Sequence, residues 1–207
     1  MNVEKFWDNL AERYSKSPVR DETVYQEKLE ATRRYLNPES RVLEIGCGTG
    51  TTALHHAPYA KHILATDISN NMLDIARNKA SDAGITNVSF EQATVEGFEA
   101  EPASFDAILA LNIIHLLDEP AAVIQKYYGL LKPGGAFVTS TVCLGDVIFS
   151  WWRILIPLMQ LVGKAPRVQY MKRKDLEIYF DDAGFEIDFA RPAAKDEAAF
   201  IIAKKPS

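Results

Sequence analysis

Cysteine is scarce in this 207-residue chain: two residues, Cys47 and Cys143, and no CxxC pair. That excludes a disulfide framework and a thiolate zinc cluster, and a reduced, cytoplasmic setting is the expectation. Basic charge is not in excess either. Lys and Arg number 23 against 28 Asp and Glu, for a formal net charge of -5. A nucleic-acid partner is not expected, since phosphate binding needs a basic surface. No uncharged apolar run reaches the ~18 residues of a membrane span. The nearest, Val147 to Val162, is broken by Arg153, Pro157 and Gln160. Residues 1–10 mix charges with apolar residues and lack the apolar stretch of a secretion signal. There is no internal repeat and no low-complexity segment, and the length suits a single domain.

What the chain does contain is alternation. Residues 4–15 and 22–36 read as two helices, the second stopped by Asn37-Pro38. Strands then follow at Arg41–Ile45, His62–Thr66, Val88–Gln92, Phe105–Leu109 and Ala136–Thr141. Helices fall between them at Thr51–Ala57, Asn70–Ala83 and Pro120–Leu131, the last closed by Lys132-Pro133-Gly134-Gly135. A helix at 173–183 precedes strands Phe185–Ala190 and Ala198–Ala203, whose short link permits only an antiparallel pair. The pattern predicts an α/β fold: a Rossmann-like, doubly wound, seven-stranded sheet, mostly parallel, with one antiparallel strand near the C-terminus. It forms one domain over 1–207, with a helical cap at about 1–36 and a lid-like insertion at about 143–171. Ligands of such sheets bind beyond the carboxyl ends of the strands, at the topological switch.

The densest motif is Val42-Leu43-Glu44-Ile45-Gly46-Cys47-Gly48-Thr49-Gly50: an apolar strand, three alternate glycines, then a helix. Glycines let the backbone turn sharply and approach a ligand, and the helix start offers free N–H groups. A dinucleotide loop would read G-x-G-x-x-G; here the third glycine comes one residue early. Asp67 closes the next strand, 21 residues after Gly46, where a carboxylate can accept both hydroxyls of a ribose.

These segments resemble class I S-adenosylmethionine-dependent methyltransferases, in the group that includes ubiquinone/menaquinone-biosynthesis-type enzymes. Ala65-Thr66-Asp67-Ile68-Ser69, Phe105–Ala110, Leu130–Gly135 and Ala183-Gly184-Phe185 resemble further motifs of that family, in the family's order. The resemblance implies S-adenosyl-L-methionine as cofactor. It places the Gly46, Cys47, Gly48 and Gly50 backbone against the methionine and ribose portions, with Glu44 organising the loop. Asp67 would hold the ribose, Ile68 and Met72 the adenine, and Asn112 the methionine end. Thr94 stands where many relatives carry an Asp facing the adenine amino group; its hydroxyl and the Val95 N–H are the expected contacts. Tyr14 resembles an N-terminal aromatic that closes over the methionine end, with amphipathic packing as the alternative.

Methyl transfer needs alignment, exclusion of water and removal of a proton where the acceptor carries one. His115, just past the fourth strand, is the candidate base, the alternative being a structural helix-start histidine. Cys47 reads as a packing residue, and His55, His56 and His62 as surface or packing residues, since their spacing fits no metal site. The apolar run around Phe149, Trp151 and Trp152 suggests a lid over a small apolar or aromatic acceptor; a homodimer interface or a membrane-surface contact are the other readings. The expected function is methyl transfer to such an acceptor. The alternatives are a non-catalytic S-adenosylmethionine-binding regulator and a nicotinamide-dependent oxidoreductase.

Overall fold

The computed structural model describes residues 2–19, 21–146, 166, 168–191 and 198–207. Seven strands form one sheet: β1 (Arg41–Ile45), β2 (His62–Asp67), β3 (Val88–Gln92), β4 (Phe105–Leu111), β5 (Leu131–Thr141), β6 (Glu186–Ala190) and β7 (Ala199–Lys204). Their order is β3-β2-β1-β4-β5-β7-β6. Pairing is parallel from β3 through β5, and β7 runs antiparallel between β5 and β6, the one reversed strand expected from the short 191–197 link. The helices are α1 (Val3–Ser15), α2 (Glu22–Arg33), α3 (Thr51–His56), α4 (Asn70–Asp82), α5 (Pro120–Leu130) and α6 (Arg173–Asp182).

Period-two alternation explains why both faces are covered. Leu43, Ile45, Ile108, Phe137 and Ile201 point into a core shared with Tyr127 of α5 and Leu176 and Phe180 of α6. Their neighbours Val42, Ala107, Leu109, Val138, Phe200 and Ile202 point the other way, into a core shared with Ala53 of α3 and Leu73 of α4. Each central strand therefore reads as a continuous apolar run.

Several boundaries differ from the sequence reading, three of them for a visible reason. Helix α2 stops at Arg33 and not at residue 36, because Tyr35 and Leu36 donate to the carbonyls of Thr32 and Arg33, a tightened i→i+3 pattern that ends the α-helix. Helix α3 ends at His56, one residue before the expected Ala57, and Pro58 follows inside a 3₁₀ turn, Ala57–Tyr59. Strand β5 starts at Leu131, and the Lys132–Gly135 turn is an irregularity within it, where pairing jumps from Phe105↔Leu131 to Ala107↔Ala136.

Candidate cofactor and acceptor site

The strand order reverses between β1 and β4, which opens a crevice at their carboxyl ends. The turn after β1 forms one wall. Gly46 and Gly50 both adopt positive φ, 65° and 72°. Both are also pressed against neighbours. A Cβ on Gly46 would lie 2.8 Å from Ile113 Cγ1, and one on Gly50 2.7 Å from the Ala76 Cβ. Any other residue at either position would be strained and would push the turn away from the loop after β4 or from α4.

Asp67, at the end of β2, holds this turn. Its Oδ2 accepts the Gly48 N–H at 2.8 Å and its Oδ1 accepts the Ser69 N–H at 2.9 Å. Each oxygen keeps a further lone pair, enough to accept two ribose hydroxyls. Burial raises the pKa of this carboxyl, and the N–H groups of Ser69, Gly48 and Ile68 pull it back. Glu44 lies in β1, buried at 3% exposure, with Oε2 lacking any partner. Burial, and then the Asp67 charge, push its carboxyl up to about 8. A buried carboxyl with an orphaned oxygen beside a second carboxylate favours a cationic, donor-rich ligand. The residues present thus fit a nucleoside carrying a positively charged amino-acid tail.

Tyr14 of α1 reaches over the turn, its ring edge 3.7 Å from where a Gly48 Cβ would be. Its hydroxyl is raised by burial first and then by Asp67 and Glu44, although 47% of the residue is exposed. Cys47 is buried, donates its N–H to Thr66, and packs with Ala53, Ala60 and Leu73.

The other expected contacts fall around this core. Ile68 is half-buried, and its carbonyl accepts from Gln92. Met72 is buried at 2% exposure in the first turn of α4. Thr94 Oγ1 accepts the Gly97 N–H at 2.9 Å, so this hydroxyl caps its own turn and keeps its proton and a second lone pair. Val95 is buried, and its carbonyl accepts from Tyr127. Asn112 has φ 58° and uses its N–H on the Ser140 carbonyl, which leaves its own carbonyl and side chain for a ligand.

His115 sits in a 3₁₀ turn, Ile114–Leu116, with Nδ1 buried and unpartnered. Burial lowers its pKa to about 4, so the ring is neutral at pH 7 and a weak base. Among the remaining histidines, His55 is exposed, His56 is fully buried, and His62 bonds Ser89 Oγ. Phe149, Trp151 and Trp152, and most of the expected lid, lie outside the described residues.

The sequence reading missed the part α2 plays. Tyr25 bonds Thr52 Oγ1 at the start of α3 and feels the charge of Glu44, while Lys28 donates to Ser140 Oγ at 2.9 Å. Helix α2 thereby ties the start of α3, just after the glycine turn, to the end of β5. A lysine sharing a helix face with Tyr25, Leu29 and Thr32 was the available clue. Lys79 of α4 was missed too; its ammonium bridges Thr49 Oγ1 and Thr51 Oγ1 at 2.9 and 3.0 Å, bracketing Gly50.

The glycine turn, Glu44 and Asp67 thus line a crevice at the carboxyl ends of a doubly wound sheet. Residues 42–135 match a family described as a methyltransferase domain. A ubiquinone biosynthesis O-methyltransferase of Xanthomonas axonopodis pv. citri is 32% identical over 166 residues, 78% of this chain and 69% of that protein. One from Xylella fastidiosa (strain 9a5c) is 35% identical over 104 residues, 50% of this chain but 42% of the relative, and several other relatives are likewise matched over about two fifths of their length. YcgJ of Bacillus subtilis superposes with a TM-score of 0.72 at 19% identity, over 88% of this chain and 99% of that one. The [4+2]-cyclase SpnF superposes at 0.75 with 18% identity, over 92% and 85%. The chain belongs to the class I S-adenosylmethionine-dependent methyltransferase family. S-adenosylmethionine is accordingly its cofactor.

Proposed function

We propose that this protein transfers a methyl group from S-adenosylmethionine to a small apolar or aromatic acceptor. The observation that carries the reading is the Glu44–Asp67 pair beneath the glycine turn: two buried carboxyls, one of them with an orphaned oxygen, set against a backbone shaped for close approach. Bound S-adenosylmethionine supplies a methyl on a sulfonium sulfur, a leaving group that needs no further activation. Asp67 and the turn orient the nucleoside, Tyr14 covers its methionine end, and the Asn112–His115 segment borders the acceptor side. The bound cofactor would supply the methyl group to the acceptor atom, and any acceptor proton would leave to solvent or a nearby base. His115 is too weakly basic to take that proton before transfer, and its role is to hold the acceptor by a hydrogen bond.

The acceptor class rests on the sequence. Phe149, Trp151 and Trp152 make the sequence after β5 apolar, and relatives named for O-methylation in ubiquinone biosynthesis support an aromatic hydroxyl as the target. The fold alone does not carry the activity, since a cyclase shares it. The test is a turnover screen that follows S-adenosylhomocysteine release across phenolic, quinol-type, amine and thiol acceptors. Turnover confined to phenolic or quinol-type acceptors is expected; saturable S-adenosylmethionine binding without turnover on any acceptor class would favour a regulator.

A further inference from the structure

Helix α4 meets the crevice at two places. Its N-cap, Ser69, donates its N–H to Asp67 Oδ1, and Met72 lies buried in its first turn. Two turns on from the cap, the same helix meets the glycine turn. The Ala76 methyl and the Phe90 ring of β3 form a notch that holds Gly50: a Cβ there would stand 2.7 Å from Ala76 Cβ and 2.9 Å from Phe90 Cε1. Lys79 follows Ala76 at a spacing that keeps both on one helix face. Its Nζ donates to Thr49 Oγ1 at 2.9 Å and to Thr51 Oγ1 at 3.0 Å, so the ammonium straddles Gly50.

This lysine is spent on neutral partners. It is half-buried, and burial lowers its pKa. Lys16, Lys61 and Lys132 each pair with a carboxylate. Among the described residues, none stands within ion-pair distance of Lys79. A charge drawn part-way out of water without a counter-charge costs stability. What the arrangement gives in return is local. Thr49 and Thr51 flank Gly50, and a cation fixed to both hydroxyls holds the peptide units between them. The turn is thus gripped at Gly48 by the Asp67 carboxylate and around Gly50 by the Lys79 ammonium, with Gly46 set against Ile113.

We propose that Lys79 is a positioning residue for the S-adenosyl ligand: by bridging Thr49 and Thr51 it clamps the end of the glycine turn to α4 and fixes where that turn meets the ligand's amino-acid tail. This rests on the cofactor reading above. The ammonium acts through the backbone of the turn and not by contact with the ligand. Two ligands separate such a clamp from a general loss of structure. The groups expected to hold adenosine, Asp67, Ile68 and Met72, lie outside the clamped segment, and only S-adenosylhomocysteine carries the tail.

The test is calorimetry of S-adenosylhomocysteine, and of adenosine by competition, on the full chain and on Lys79→Met, Lys79→Arg and Thr51→Val. Lys79→Met keeps an unbranched apolar stem and removes the ammonium. Its affinity for S-adenosylhomocysteine falls by about tenfold, while that for adenosine changes by less than about twofold. Lys79→Arg, whose guanidinium can also donate to two hydroxyls, restores most of the loss. Thr51→Val leaves the lysine one anchor on the turn and weakens S-adenosylhomocysteine binding in the same selective way, by less. Unchanged S-adenosylhomocysteine affinity in Lys79→Met, or an equal loss for both ligands, overturns the clamp while leaving the cofactor reading intact. If Lys79→Met does not fold, Thr51→Val decides by the same comparison. Failure of the wild-type chain to bind S-adenosylhomocysteine overturns the cofactor reading and the clamp with it.

Discussion

The Gly48 N–H donates to Asp67 Oδ2 at 2.8 Å, so the carboxylate we propose for the ribose also holds the glycine turn after β1. The ends of β1 and β2 are locked to each other before any ligand arrives. Preorganisation of this kind lowers the ordering cost of binding.

Asp67→Ala removes both the acceptor for ribose and the anchor for the turn. S-adenosylhomocysteine affinity falls by about 1.5–3 kcal/mol, the range of a charge-assisted hydrogen bond. Titration calorimetry checks this, and an unchanged Kd would remove Asp67 from the site.

Glu44 makes stability depend on pH. Its carboxyl keeps its proton up to about pH 8 when folded, against an ordinary value of 4.5. Between those values the unfolded chain loses a proton that the folded chain retains, so rising pH favours unfolding. Wild type therefore loses thermal stability relative to Glu44→Gln as pH is raised from about 5 to about 8. A Tm difference that stays flat across that window means that Glu44 is ionised in the folded protein.

Gly50→Ala tests the packing of the turn. The left-handed backbone alone costs about 1–2 kcal/mol for a residue with a Cβ, and the contact with Ala76 at 2.7 Å adds to it. Urea unfolding should show at least that loss. Full stability in the variant would mean that the turn abandons its left-handed backbone at residue 50 as well as its contact with Ala76.

His115→Ala keeps cofactor affinity and loses turnover once the acceptor is in hand. Because burial holds the imidazole at about 4, kcat/KM shows no histidine limb between pH 5 and 7.5. An activity loss centred near pH 6.5, absent from the His115→Ala variant, would show that the ring titrates freely and acts as a base.

The sequence alone determined the fold class, because its evidence is local. Apolar runs of strand length, alternating with helical stretches, leave only a doubly wound sheet, and the seven-residue gap between Ala190 and Ala198 forces an antiparallel final pair. The glycine turn and Asp67 were legible for the same reason: their spacing along the chain matches a short stretch of backbone. Only the tertiary structure decided what lies across the site. That Glu44 keeps an orphaned oxygen, that Asp8 reaches Ser69 across 61 residues, and that Lys28 reaches Ser140 across 112 are long-range facts. A helix's periodicity says which face is apolar, but not which strand ends its charged residues will meet. That choice is made when the helix docks on the finished sheet, where an unpaired buried polar group costs more than any local propensity can offset.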